Sequence, residues 1–88
     1  MRRFEFEWDE GNEEHIARHN ISSEEVEEVF RSRIHLLHSR LGRYAALGQT
    51  EVGRYLFCVF ERKGQGLIRV LTAREMEDSE RKLYKRKR

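Results

Sequence analysis

The chain has 88 residues, 39% of them Asp, Glu, Lys or Arg, and a net charge of +2. A chain of this length supports one small core that buries roughly 60 to 65% of its unfolded surface, so a single domain over residues 1–88 is expected. The lone cysteine, Cys58 in the run LFCVF, excludes a disulfide framework and reads as core filler in a reducing compartment. That run is far below the ~20 apolar residues of a membrane span, and MRRFEFEWDE lacks a signal-like apolar region, so a soluble cytoplasmic protein without a membrane partner is expected.

RRFEFEW alternates Phe4, Phe6 and Trp8 with Glu5 and Glu7, which predicts a strand over about residues 3–8 with one buried face. Asp9 can cap the next segment, where Asn12, His15, Ile16 and His19 recur at helical spacing and Asn20 supplies a left-handed stop. Ser22 and Glu25 form the S-x-x-E pattern of a capping box, and Val26, Val29 and Phe30 give a second short helix its apolar stripe. After Arg31 come RIHLLHS, RYAALGQT, RYLFCVFER and LIRVLTA, four strands joined near Leu41-Gly42, Glu51-Val52-Gly53 and Lys63 to Gly66. Such short connections make antiparallel neighbours. RYLFCVFER is apolar on both faces, as a central strand covered on both sides would be. In LIRVLTA, Arg69 stands between Leu67 and Leu71 on one face, and a cation there needs a reason. A helix closes the chain from about Asp78, with Leu83 and Tyr84 as anchors and Arg81, Lys82, Lys85, Arg86, Lys87 and Arg88 as cations. The expected class is α+β: an N-terminal strand, two short helices, an antiparallel β-sheet and a basic C-terminal helix.

Charge is divided along the chain. Residues 1–30 carry three arginines against ten acids, whereas residues 31–88 carry fifteen Lys or Arg against six acids. A polyanion would meet the second part. His15 and His19, four apart, share one side of the predicted helix, the spacing of many paired metal ligands. Hydrolytic zinc helices carry Glu directly after the first His and a third ligand downstream, but Ile16 follows His15 and no third ligand is evident, so no metal is assigned. Two readings remain for the pair: packing around Ile16, or metal-free proton exchange near neutral pH.

Three segments carry a family resemblance. W-D-x-x-N-x-x-H-I-x-x-H at Trp8 to His19, R-Y-x-A-L-G at Arg43 to Gly48, and R-V-x-T-A-R at Arg69 to Arg74 together resemble the BrnT toxins of type II toxin–antitoxin pairs. The likeness runs from about Phe6 to Tyr84, with residues 31–42 atypical. It implies a RelE-like ribonuclease that cleaves RNA without a metal or other cofactor, inhibits translation, and is held inactive in a hetero-oligomer by a ribbon-helix-helix antitoxin resembling BrnA. On that reading Arg69 and Arg74 stabilise the phosphoryl charge, His19 is the preferred acid or base, His15 is its neighbour and second choice, and Tyr84 stacks on a base or donates its hydroxyl. Arg43, Arg54, Arg81, Lys82 and Lys85 are the expected RNA-binding cations. The alternatives are an ion pair for Arg69 and helix packing for Tyr84. Asn20 replaces a glycine usual in relatives, and Glu75 with Glu77 to Asp78 makes the start of the last helix unusually acidic. A catalytically attenuated scaffold, or a nucleic-acid-binding module acting in operon regulation, is the competing functional class.

Overall fold

The computed structural model describes residues 4–39 and 41–87, the Lys87 side chain excepted. Arg3, at the expected start of the first strand, and Arg88, at the expected end of the last helix, lie outside the described residues. In chain order the elements are β1 (Glu5–Glu7), α1 (Glu10–Ala17), α2 (Ser23–Arg31), β2 (His35–His38), β3 (Arg43–Gln49), β4 (Tyr55–Gly64), β5 (Leu67–Glu75) and α3 (Asp78–Lys87). The five strands form one sheet in the order β1-β5-β4-β3-β2.

The hairpin strands β2 to β5 are antiparallel, as short turns require. The leading strand departs from the expected antiparallel sheet: β1 runs parallel to β5. No turn joins this pair. The α1–α2 layer carries the chain across one face to the far edge, and three hairpins bring it back beside β1.

Local signals explain the helix boundaries. Asp9 caps α1 and forms a reciprocal box with Asn12, and Ser22 does the same for α2 with Glu25. Between the helices Asn20 has φ 63°, the left-handed stop expected of it. Ile16, Ile21, Val26, Val29 and Phe30 then pack on Ala46, Leu56, Cys58, Phe60, Ile68, Val70 and Ala73. Phe30 anchors this layer, with the rings of Phe4, Phe6 and Phe60 edge-on at 5.2 to 5.3 Å. Cys58 sits inside it, and burial pushes its thiol up to about 12, so it acts as apolar filler.

The opposite face is less covered. Leu47, Met76 and Tyr84 form a second small core with Leu37, Tyr55, Phe57 and Leu83 beneath α3. The strand β4 is central, as expected, but its second face is only partly closed: Tyr55, Phe57 and Val59 are half-buried there. One short helix cannot roof five strands.

Gly48 closes the R-Y-x-A-L-G segment, and its backbone lies against α2. A Cβ at this position would sit 2.8 Å from Val29 Cγ1, 2.9 Å from Ser32 Oγ and 3.1 Å from Ile34 Cγ2. Gly48→Ala should therefore force α2 off the sheet and cost about 1 to 3 kcal/mol. For a domain of this size each kcal/mol lowers the melting midpoint by roughly 4 to 8 °C, which calorimetry can check. An unchanged midpoint would contradict the close approach.

Candidate nucleic-acid interface

On the face away from α1 and α2, register sets side chains in rows, because paired residues of adjacent strands project to the same side. Arg43, Glu61, Arg69 and Glu7 form a row of alternating charge across β3, β4, β5 and β1. Leu37, Ala45, Val59 and Thr72 form the next row, and His35, Leu47, Phe57 and Arg74 the third. Leu47 and Phe57 belong to the core under α3, which identifies the face.

Arg69 and Arg74 are five positions apart, a spacing that sends them to opposite faces of a regular strand. A bulge changes this. Val59 pairs with Thr72 and Phe60 with Val70, so Leu71 is an extra residue on β5. The two arginines consequently stand opposite Glu61 and Phe57, on one face and separated by about 13 Å of strand.

Both guanidinium groups are held by carboxylates. Arg69 Nη1 donates to Asp9 Oδ2 at 2.9 Å and to Glu7 Oε1 at 3.2 Å, and Nη2 donates to Asp9 Oδ1 at 3.3 Å. These bonds are why a cation sits in an apolar strand. Arg74 donates through Nη1 to Glu80 Oε1 at 2.9 Å and to the Glu75 carbonyl at 3.1 Å, and through Nη2 to Glu80 Oε2 at 2.8 Å. Its guanidinium carbon lies 4.3 Å from the centre of the Phe57 ring. The Arg69 bonds hold the Asp9 carboxyl below its usual range, and the Arg74 bonds do the same for Glu80. Each arginine is correspondingly raised.

The histidines fall elsewhere. Asn12 and Ile16 are the buried residues of α1, while His15 and His19 are exposed with ring centres 6.0 Å apart. Ile16 packs in the core on the other side of the sheet, although Asp9 at the start of the same helix is bonded to Arg69. Among the described residues no hydrogen bond joins His15 or His19 to Arg69 or Arg74. The histidine on the arginine face is His35, on edge strand β2, three strands and about 14 Å from β5. Among the described residues no group of three His, Cys, Asp or Glu side chains is arranged to hold a metal ion.

Tyr84 packs from α3 into the second small core. The residue is 3% exposed, and its hydroxyl donates to the Arg33 carbonyl at 2.6 Å. This is the geometry of the packing alternative. Arg54 is held by the fold as well: Nη1 donates to Glu25 at 2.7 Å and to the Asn20 carbonyl at 3.1 Å, and Nη2 to Glu75 at 2.9 Å. It ties the α1–α2 corner to the end of β5. Arg43 is half exposed and 3.7 Å from Glu61. Arg81 and Lys85 lie 4.6 and 5.3 Å from the centre of the Tyr55 ring, and Lys82 is exposed. Arg81 also lines a cleft of about 260 Å³ with Gly53, Arg54, Tyr55, Glu75 and Met76.

The partners Glu7, Asp9 and Glu80 were not recognised in the sequence as members of this site. Signals for them existed: Glu7 alternates out of the buried face, Asp9 is a helix cap, and Glu80 follows Glu77 at capping-box spacing.

Among the described residues no helix is long and apolar enough to cross a membrane. No curated protein matches the chain in sequence. In fold it is similar to the crystal structure of the Brucella abortus ribonuclease toxin BrnT, with a TM-score of 0.67 and 16% identity, over 89% of this chain and 100% of that one. The family model described as "Ribonuclease toxin, BrnT, of type II toxin-antitoxin system" matches residues 8–80, which takes in the capped α1, the whole sheet beyond β1 and the start of α3. The chain therefore belongs to the BrnT family of ribonuclease toxins of type II toxin–antitoxin systems.

Proposed function

We propose that the chain is a metal-independent, RelE-like endoribonuclease that takes single-stranded RNA across the arginine face of its sheet and thereby inhibits translation in the cytoplasm. A ribbon-helix-helix antitoxin resembling BrnA would cover that face in a hetero-oligomer. The observation that supports this reading most is the β5 bulge, which sets Arg69 and Arg74 on one incompletely roofed side of the sheet.

In such a cleavage the RNA 2′-oxygen bonds to the adjacent phosphorus as the bond from phosphorus to the 5′-oxygen breaks. The hydroxyl proton passes to a base or to water, and the departing 5′-oxygen takes up a proton. Negative charge grows on the non-bridging oxygens, and planar cations already fixed in place stabilise it without reorganising. Arg43, Arg81, Lys82 and Lys85 add sequence-independent attraction for the backbone. His15, His19 and Tyr84 take no part in this step.

Incubation of the purified protein with single-stranded RNA tests the reading. Cleavage should proceed at an unchanged rate in EDTA and leave 2′,3′-cyclic phosphate and 5′-hydroxyl ends. Activity that EDTA abolishes and a divalent ion restores would contradict it, as would 3′-hydroxyl products. One observation favours the attenuated scaffold instead: Glu80 and Glu77 surround Arg74 with negative charge. Absence of both cleavage and growth arrest on expression would select that alternative.

A further inference from the structure

The carboxylates on the two arginines share a feature. Asp9 is the cap of α1, and its Oδ1 accepts from the Asn12 N–H at 3.1 Å while it accepts from Arg69. Glu80 lies in the first turn of α3, and its Oε1 accepts from the Glu77 N–H at 2.8 Å while it accepts from Arg74. Each arginine of the bulged strand is thus fastened to a carboxylate that a helix N-terminus already holds. The anchors belong to different helices.

The atoms used matter as much as the partners. In both arginines the carboxylate takes the end of the fork formed by Nη1 and Nη2. The side of the fork, made of Nε–H and the second Nη2 hydrogen, donates to nothing among the described residues. That edge is also a bidentate donor suited to phosphate. The side chains are 24% exposed at Arg69 and 35% at Arg74, so solvent reaches them.

We infer that Asp9 and Glu80 are positioning residues: they grip one edge of Arg69 and Arg74 and present the other edge, pre-oriented, to phosphate oxygens of the RNA. The inference rests on the proposed cleavage at this face. It assigns the acidic start of α3 a role opposite to attenuation, since Glu80 orients its arginine rather than competing with the substrate. Glu7, bonded to Arg69 by one oxygen only, adds to the grip without defining the fork.

Asp9→Asn and Glu80→Gln test this without removing either cap, because asparagine caps as well as aspartate and glutamine can replace glutamate in a capping box. Each substitution removes one of the two acceptor oxygens. Melting midpoints should stay near the parent's. A misplacement of about 1 Å at a reacting centre costs on the order of 100-fold, so kcat should fall by up to about that factor. KM should be unchanged or lower, because a negative charge has been removed beside a polyanion. This split separates positioning from simple destabilisation, which would reduce the amount of folded enzyme and leave kcat per folded molecule intact. Unchanged or raised kcat in both variants overturns the inference. Arg69→Ala and Arg74→Ala, assayed alongside, locate the failure. If they abolish cleavage while the amide variants do not, only the positioning role falls; if they too are silent, or the parent does not cleave, the proposed site falls with it.

Discussion

Arg74→Ala is expected to lower the rate of RNA cleavage by about 100- to 1000-fold, the usual cost of deleting one preorganised donor to a developing oxyanion. Arg69→Ala should fall in the same range. Both side chains stand on the open face, and their loss deletes charge without opening a cavity in the main core, which lies across the sheet. Arg74→Ala does release Glu80, 18% exposed, from its partner, so some loss of stability accompanies it. Rates must therefore be referred to folded protein, measured by circular dichroism and melting. Lysine at either position should rescue poorly, since a point charge cannot occupy a carboxylate with one edge and a phosphate with the other. His19→Gln is the informative control. With His19 exposed on α1 and bonded to neither arginine, its cleavage rate should stay within a few-fold of the parent, and a collapse there would place the RNA around the β1 edge instead.

The elements of this fold were readable because their causes are local. Alternation in RRFEFEW, the Ser22–Glu25 box, the left-handed Asn20 and the glycine turns each act within a few residues, and each appears where expected. The parallel pairing of β1 with β5 was not readable, since it joins segments some sixty residues apart with no turn to set direction. The chemistry suffered more. Helical spacing puts His15 and His19 together, and it does so on the outside of a layer that buries Asn12 and Ile16. Arg69 and Arg74 do share a face, but only through a bulge that LIRVLTARE announces with no glycine. Fifteen cations in residues 31–88 also overstate the free charge, for Arg54, Arg69 and Arg74 are each paired with carboxylates. Net charge counts side chains; a site depends on which of them are already paired.

Asn12→Leu should destabilise the protein by about 3 kcal/mol and also reduce cleavage per folded molecule, a combination not expected of Gly48→Ala. Asn12 is the asparagine of the W-D-x-x-N segment and is 3% exposed. Its Nδ2 donates to the Glu7 carbonyl at 2.9 Å and to the Val70 carbonyl at 3.1 Å, and its Oδ1 accepts from the Asp9 N–H at 2.8 Å. The last registered pair of β1 and β5 is Glu7 with Arg69, so the amide takes over the free edge of β5 where β1 stops. Leucine would leave those backbone groups without partners, at roughly 1 to 3 kcal/mol for each that water cannot reach. Val70 is also the residue immediately before the extra Leu71, so the same amide holds the bulge from the helix side. Without it β5 can relax toward regular pairing, which would turn one arginine away from the open face. Asn12→Asp sharpens the test. Its second oxygen would confront two carbonyls, raising the folded-state pKa of the new carboxyl above its unfolded value of about 3.9. The variant should therefore be least stable at neutral pH and recover as pH falls below that raised value, where the protonated group can donate once. Denaturant titrations at several pH values would record the trend, after correction for the parent's own acid sensitivity. A flat difference between variant and parent would mean that the amide donates nothing essential to either strand.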